Sequence, residues 1–140
     1  MFMTVFADTD QFYTITRALF ARIAENDPGA ADAILASRLV IRVRCTDPDA
    51  EFTLDGRQRP LQTIFGPAKQ RPTLDIELNA GTLHRIMLGE LSLKTALANG
   101  KLAVRGPVWK AMALADLFRH SQVLYPQVLK EHDWPRLREL

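Results

Sequence analysis

The stretch NGKLAVRG, residues 99–106, decides how this chain is built. Two glycines bracket five residues with alternating apolar side chains, and Pro107 follows at once. Gly100 stands where a helix ends in a left-handed residue, a position that suits a side chain without Cβ. Lys101 to Arg105 then reads as a short strand, with Leu102 and Val104 on one face and Lys101, Ala103 and Arg105 on the other. Gly106 permits a tight turn, and the fixed φ of Pro107 suits the first position of the next helix. The spacing predicts a helix–strand–helix crossing with glycine at both corners, its two helices flanking one end of a shared sheet.

Outward from this crossing the pattern stays regular. Downstream, Val108, Met112, Ala115, Leu117 and Phe118 predict a helix to about His120. The segment Ser121 to Leu140 is amphipathic in part, through Leu124, Tyr125, Val128 and Leu129, and Trp134–Pro135 breaks it. This tail is expected to cover the core, close a cavity or meet another subunit. Upstream, Leu93, Ala96 and Leu97 mark a helix ending at Asn99–Gly100, and Leu83, Ile86 and Met87 mark one ending near Gly89. Before these, TLDIELN reads as a strand, with Leu74, Ile76 and Leu78 inward and Asp75 and Glu77 outward.

The first half supplies a helix and a hairpin. Phe12, Ile15, Leu19 and Ile23 recur at spacings of three and four, which predicts an amphipathic helix over residues 9–25. Asp8 with Gln11 has capping-box spacing, and Thr9 is a rival cap. NDPG at 26–29 interrupts the helix, and a second one over Ala30 to Ser37 turns Ile34 and Leu35 inward. In LVIRVRCT, Leu39, Ile41, Val43 and Cys45 alternate with Val40, Arg42, Arg44 and Thr46. A four-residue loop at Asp47–Ala50 would pair Cys45 with Phe52, Val43 with Leu54 and Arg42 with Asp55, apolar on apolar and charge on opposite charge. Asp55–Gly56 is a further turn signal. Pro60 to Gly66 is expected to be a third strand, although the alternation in LQTIF is untidy.

Composition bounds the function. The chain of 140 residues is 47% hydrophobic and 24% charged, as expected of one soluble globular domain. Its 18 basic and 16 acidic residues give a formal charge of +2, too balanced for a nucleic-acid binder working by counterion release. Arg38, Arg42 and Arg44 share an outward strand face, but no aromatic interleaves them as base stacking requires. The apolar runs fall short of the roughly 18 residues of a membrane span. The N-terminus lacks the basic start and apolar core of a signal peptide. The one cysteine excludes an intrachain disulfide, and the expected location is cytoplasmic.

The ordered elements of residues 74–118, LDIELNAGTLHRIMLGELSLKTALANGKLAVRGPVWKAMALADLF, resemble the sterol carrier protein 2 (SCP-2) sterol-transfer family. The matching parts are the acidic-alternating strand, the helix ending at Gly89, and the helix with Ala96. The core GKLAVRG follows, then a last helix with Ala111 or Ala113, Leu114 and Leu117. With the hairpin and first helix the resemblance spans about residues 12–120, and it departs from the commoner form at Gly106–Pro107. It implies an α+β fold, a five-stranded, largely antiparallel sheet with helices packed on one face. An apolar cavity between sheet and helices, accepting sterols, acyl chains or other lipids, is implied with it. The domain is then residues 1–140, with 121–140 a C-terminal extension.

On that resemblance the expected function is non-covalent binding and transfer of a hydrophobic small molecule or lipid: a fatty acyl, sterol-like or polyisoprenoid chain. Each methylene taken out of water gains about 0.8 kcal/mol, so such a site needs enclosed apolar volume more than catalytic groups. The candidate lining residues are Phe65, Leu83, Ile86, Met87, Leu97, Trp109, Met112, Phe118 and Leu124, with Met87 and Met112 able to reshape around irregular ligands. The same side chains at helical spacing also serve as ordinary core filling. The alternative is an interaction or accessory module for a lipid or quinone pathway enzyme, meeting a partner protein or a second copy through 121–140. The residues suggest no enzyme: the chain has no G-x-S-x-G elbow, phosphate loop or H-E-x-x-H. His84, His120 and His132 read as surface histidines without metal spacing, and Cys45 as a small buried hydrophobe. No metal or redox cofactor is implied.

Overall fold

The computed structural model describes residues 5–134. Helix α1 covers Thr9–Asn26, followed by a 3₁₀ turn at Pro28–Ala31 and the short helix α2, Asp32–Ala36. Strands β1 (Val40–Thr46), β2 (Ala50–Asp55), β3 (Gln62–Phe65) and β4 (Leu74–Asn79) follow in turn. Helices α3 (Ala80–Leu88) and α4 (Leu93–Ala98), strand β5 (Leu102–Arg105), a 3₁₀ turn at Val108–Ala111 and helix α5 (Met112–Glu131) complete the chain. The sheet order is β3-β2-β1-β4-β5, with β1 and β4 parallel and the other neighbours antiparallel.

The expected helix–strand–helix crossing is present. Gly100 and Gly106 both have positive φ, +74° and +115°, where a Cβ would be strained. Pro107 caps the following turn from one position outside it. Asp8 is the N-cap of α1: its side chain accepts from the Gln11 N–H at 2.8 Å, while the Gln11 side chain accepts from the Ala7 N–H at 2.7 Å.

The inner face of the sheet carries Ile41, Val43, Phe52, Leu54, Leu74 and Ile76, all buried. Helices α1, α3 and α5 cover it, because each presents one apolar stripe and the strands alternate with period two. Phe20 and Phe12 of α1 meet Phe52 with ring centroids 5.3 and 6.4 Å apart. On the outer face Arg42 and Arg44 converge on Asp75, so the charges of these two arginines are compensated within the sheet. No helix among the described residues is long and apolar enough to cross a membrane.

The hairpin corrects the expected register. Cys45 faces Ala50, Val43 faces Phe52 and Ile41 faces Leu54, a slip of two residues from the pairing of Cys45 with Phe52. The turn is tighter than four residues and contains a cis Asp47–Pro48 peptide. A two-residue slip leaves every side chain on its original face, so the hydrophobic pattern alone does not distinguish the two registers. Arg42 therefore faces Thr53 across the hairpin and finds its carboxylate, Asp75, on the other side, in β4.

The last helix also differs. It does not stop at His120 but continues to Glu131, past the boundary expected at residue 121. Ser121 is small and buried, and its hydroxyl donates to the carbonyl of Phe118 at 2.6 Å and lies 3.0 Å from that of Met87. The polar residue thus leaves the apolar stripe unbroken through Tyr125, Val128 and Leu129. Beyond the helix, Trp134 lies against His84 with the two rings tilted by 42° and donates its indole N–H to the Val5 carbonyl at 2.8 Å, covering the core as one reading of the tail expects. Residues 135–140, including Pro135, lie outside the described residues.

Candidate functional site

Among the described residues, an apolar recess of the size small-molecule sites have opens at the edge of the sheet. Its volume is about 480 Å³, within the range of about 300–1,000 Å³ typical of ligand pockets. It opens where the C-terminal end of α1 (Phe20, Ile23), the turn at Pro28–Ala31, Leu35 of α2, Leu61 at the start of β3 and Leu117 of α5 converge. The sequence builds this recess locally. Pro28 ends α1 and starts a tight 3₁₀ turn, so small residues Ala30 and Ala31 line the wall where larger ones would fill it. Leu117 contributes from the apolar stripe of α5, opposite the β2–β3 connection.

Charge is confined to the rim. Asp27 Oδ2 lies 2.5 Å from His120 Nδ1. Arg59 lines the mouth with its side chain 69% exposed and lies 3.4 Å from Asp32. A larger depression of about 620 Å³ at the opposite end of the sheet is lined by Arg44, Asp49, Glu51 and Glu77 among others. Its charged walls suit water better than hydrocarbon, so the smaller apolar recess is the candidate site.

None of the residues expected from sequence lines this recess. Leu83, Ile86, Met87 and Phe118 are buried in the core between sheet and helices, where they pack against one another and their neighbours. Phe65 is half-buried against Tyr13, Phe20 and Phe52, with the Arg17 guanidinium 4.6 Å above its ring. Leu97 and Leu124 are half-buried at the core margin. Trp109 and Met112 stand on the surface, 76% and 52% exposed, because Ala111 is the residue this turn sends inward. His84 is likewise no surface histidine: it is buried, with Nδ1 2.7 Å from the Tyr125 hydroxyl. Ile23, Leu35 and Leu117 carried an apolar-face signal in the sequence, whereas Phe20 was not among the residues of the α1 face. Arg59, Pro60 and Leu61 sit in a stretch of weak alternation and carried none.

The described residues thus form an open five-stranded α+β sheet with helices on one face and an apolar recess at its edge. The chain belongs to the SCP-2 sterol transfer family, whose model matches residues 19–119. The fold is similar to that of apo sterol carrier protein 2 from Yarrowia lipolytica, at TM-score 0.60 and 17% identity over 81% of this chain and 91% of that one. It is also similar to sterol carrier protein domain 2 of Helicoverpa armigera, at TM-score 0.63 and 14% identity, covering 82% and 90%. Palmitated SCP2L2 from Aedes aegypti matches at TM-score 0.57 and 20% identity, covering 76% and 92%. Comparison with curated proteins gives no match.

Proposed function

We propose that the protein binds a hydrophobic chain (fatty acyl, sterol-like or polyisoprenoid) in the recess between α1, the Pro28–Ala31 turn and β3, and transfers it without covalent chemistry. The observation that carries this reading is the recess itself: about 480 Å³ walled by Phe20, Ile23, Leu35, Leu61 and Leu117, with its charges kept to the rim. Burial of a hydrocarbon body there gains about 0.8 kcal/mol per methylene, so affinity grows with chain length until the volume is filled. Membership of a sterol transfer family and a fold shared with a palmitated relative support the same reading. Arg59 at the mouth gives an anionic head group a partner while the chain lies inside.

Native mass spectrometry of the freshly purified protein, before and after organic extraction, tests this. A bound mass lost on extraction, together with uptake of a fluorescent fatty acid, is the expected result. Ala31→Trp fills the recess from its wall and is expected to abolish uptake while the melting temperature stays within a few degrees of the parent. A ligand-free mass with no uptake overturns the carrier reading in favour of an interaction module.

A further inference from the structure

The Pro28–Ala31 turn, one wall of the recess, is held at both ends by side chains from other elements. At its start, Asp27 Oδ2 lies 2.5 Å from His120 Nδ1 of α5. At its end, Asp32 Oδ1 lies 3.4 Å from Arg59 Nη1. A Cβ built on Gly29 would stand 3.7 Å from Asp27 Oδ1 and 3.4 Å from Asp32 Oδ2, so the two carboxylates flank the tip of the turn. Local structure frees Asp27 for this contact. Its N–H ends α1 on the Ile23 carbonyl, its own carbonyl accepts from the Ala30 N–H at 3.0 Å, and its side chain makes no cap hydrogen bond to the turn. The carboxylate is left to reach across to α5, which packs against both the turn and α2.

The two holding contacts differ in chemistry. Imidazole is the side-chain group that changes charge between about pH 5 and 8. Carboxylates and guanidinium groups hold theirs across that range. Changes of pH therefore act on the Asp27–His120 contact and leave the arginine pairs as they are. Solvent protons reach it, since the side chains of His120 and Asp27 are 36% and 40% exposed. The contact also sits on the recess: Asp27 lines it, as does Leu117, three residues before His120 on α5.

The surrounding charges are mostly engaged with one another. On α5, Asp116 is bound to Arg119 at 2.8 Å, and Arg22 of α1 donates to Glu131. Glu25 of α1 and Asp32 of α2 add negative potential that favours a charged imidazole. Farther along α5, helices α3 and α4 and the turn after β5 bring Arg85, Lys94 and Lys110, of which Arg85 lies 3.8 Å from Glu90.

We infer that Asp27 and His120 form a pH-operated latch on the recess mouth. With the imidazole protonated the contact is an ion pair, and it holds the Pro28–Ala31 turn against α5. As pH rises and the imidazole loses its proton, the attraction weakens, the turn opens more often, and ligand enters and leaves faster. The closed mouth binds the proton more tightly than the open one, so low pH favours closure. The latch rests on the carrier reading of the recess.

Stopped-flow exchange of a pyrene-labelled long-chain alcohol between the full chain and excess cyclodextrin, from about pH 5.5 to about 8.5, tests it. The alcohol is uncharged, so its own titration does not enter. Entry and release are expected to quicken together by about 2- to 5-fold as pH rises, the scale of a partly exposed ion pair, while the affinity stays the same. His120→Gln and Asp27→Asn each keep a polar group and remove the ion pair. Both are expected to exchange at the fast rate at every pH, with melting temperatures close to the parent. Exchange by the parent that does not change with pH overturns the latch and leaves the carrier reading standing. A pH dependence that both variants retain overturns it too, as does one confined to release, because a latch alters entry and exit together. No uptake at any pH defeats the carrier reading and the latch with it.

Discussion

Arg42 and Asp75 lie side by side on the parallel strands β1 and β4, with Arg42 Nη2 2.5 Å from Asp75 Oδ2. Arg44 reaches the same carboxylate from the next outward position, Nε to Oδ1 at 3.1 Å. The hydrogen bond from Arg42 is the chief cause holding the Asp75 carboxyl below its ordinary range, against the opposing effect of burial. A depressed carboxyl stabilises the fold above its unfolded value of about 3.9 and loses that contribution as pH falls through the folded value. Unfolding by urea at stepped pH is therefore expected to show the parent weakening below about pH 4 more steeply than Asp75→Asn. At neutral pH the variant is expected to be less stable by about 1–3 kcal/mol, since two arginines lose their shared acceptor.

That pair also marks where sequence reasoning stopped. Period two assigned Arg42 and Asp75 to the outward face of their strands, and both are there. It paired Arg42 with Asp55 because the hairpin is the local option, whereas β4 lies more than thirty positions along the chain and its neighbour is set by topology. The recess was hidden for a related reason. Its walls are Phe20, Leu35, Leu61 and Leu117, from four separate elements, and its volume exists because Ala30 and Ala31 are too small to fill it. Periodicity reports which side of an element is apolar, and not whether facing apolar sides close on each other. The residues chosen for helical spacing, such as Ile86 and Met87, are the ones that do close.

The glycine that opens the last turn gives the sharpest stability prediction. Gly106 has φ +115°, and a Cβ there would overlap the Thr73 carbonyl, which is backbone and has little room to yield. Gly106→Ala is expected to lower stability by about 2 kcal/mol or more. Gly100→Ala meets nothing within 4 Å and carries only the cost of its φ of +74°. A smaller loss is expected at Gly100, about 1 kcal/mol. Equal losses at the two positions in denaturant titration would remove the steric argument.

The His84–Tyr125 hydrogen bond ties α3 to α5 inside the core. Tyr125 is fully buried, and burial pushes its phenol well above the ordinary range, so it is a neutral donor-acceptor at neutral pH. Tyr125→Phe keeps the ring and removes the hydroxyl, with an expected loss of about 1–2 kcal/mol. His84→Ala also removes the ring that meets Phe6 and Trp134 and is expected to cost more. Thermal unfolding of the two variants checks the order.

Cys45 sits on the inner face of β1, where burial alone pushes its thiol up to about 12. The thiolate is the reactive species, so the folded protein presents almost none at pH 8. A disulfide reagent such as dithionitrobenzoate is expected to label the native chain on the order of a thousandfold more slowly than the urea-unfolded chain. Rapid native labelling would mean that β1 opens far more often than its buried position implies.

Arg59 offers the means of separating head-group recognition from chain burial in the recess. It lines the mouth, is largely exposed, and its neighbour Asp32 lies at the long distance of 3.4 Å, so it is available to a second anion. Arg59→Gln is expected to weaken binding of a long-chain carboxylate about 2- to 5-fold, the scale of an exposed ion pair. Binding of the alcohol of equal chain length is expected to stay the same, because its hydrocarbon contributes the same buried area and it carries no charge. Competition against a fluorescent fatty acid, run with both ligands at low and high salt, reads the difference directly. Equal losses for acid and alcohol would place the role of Arg59 in shaping the wall rather than in meeting the head group.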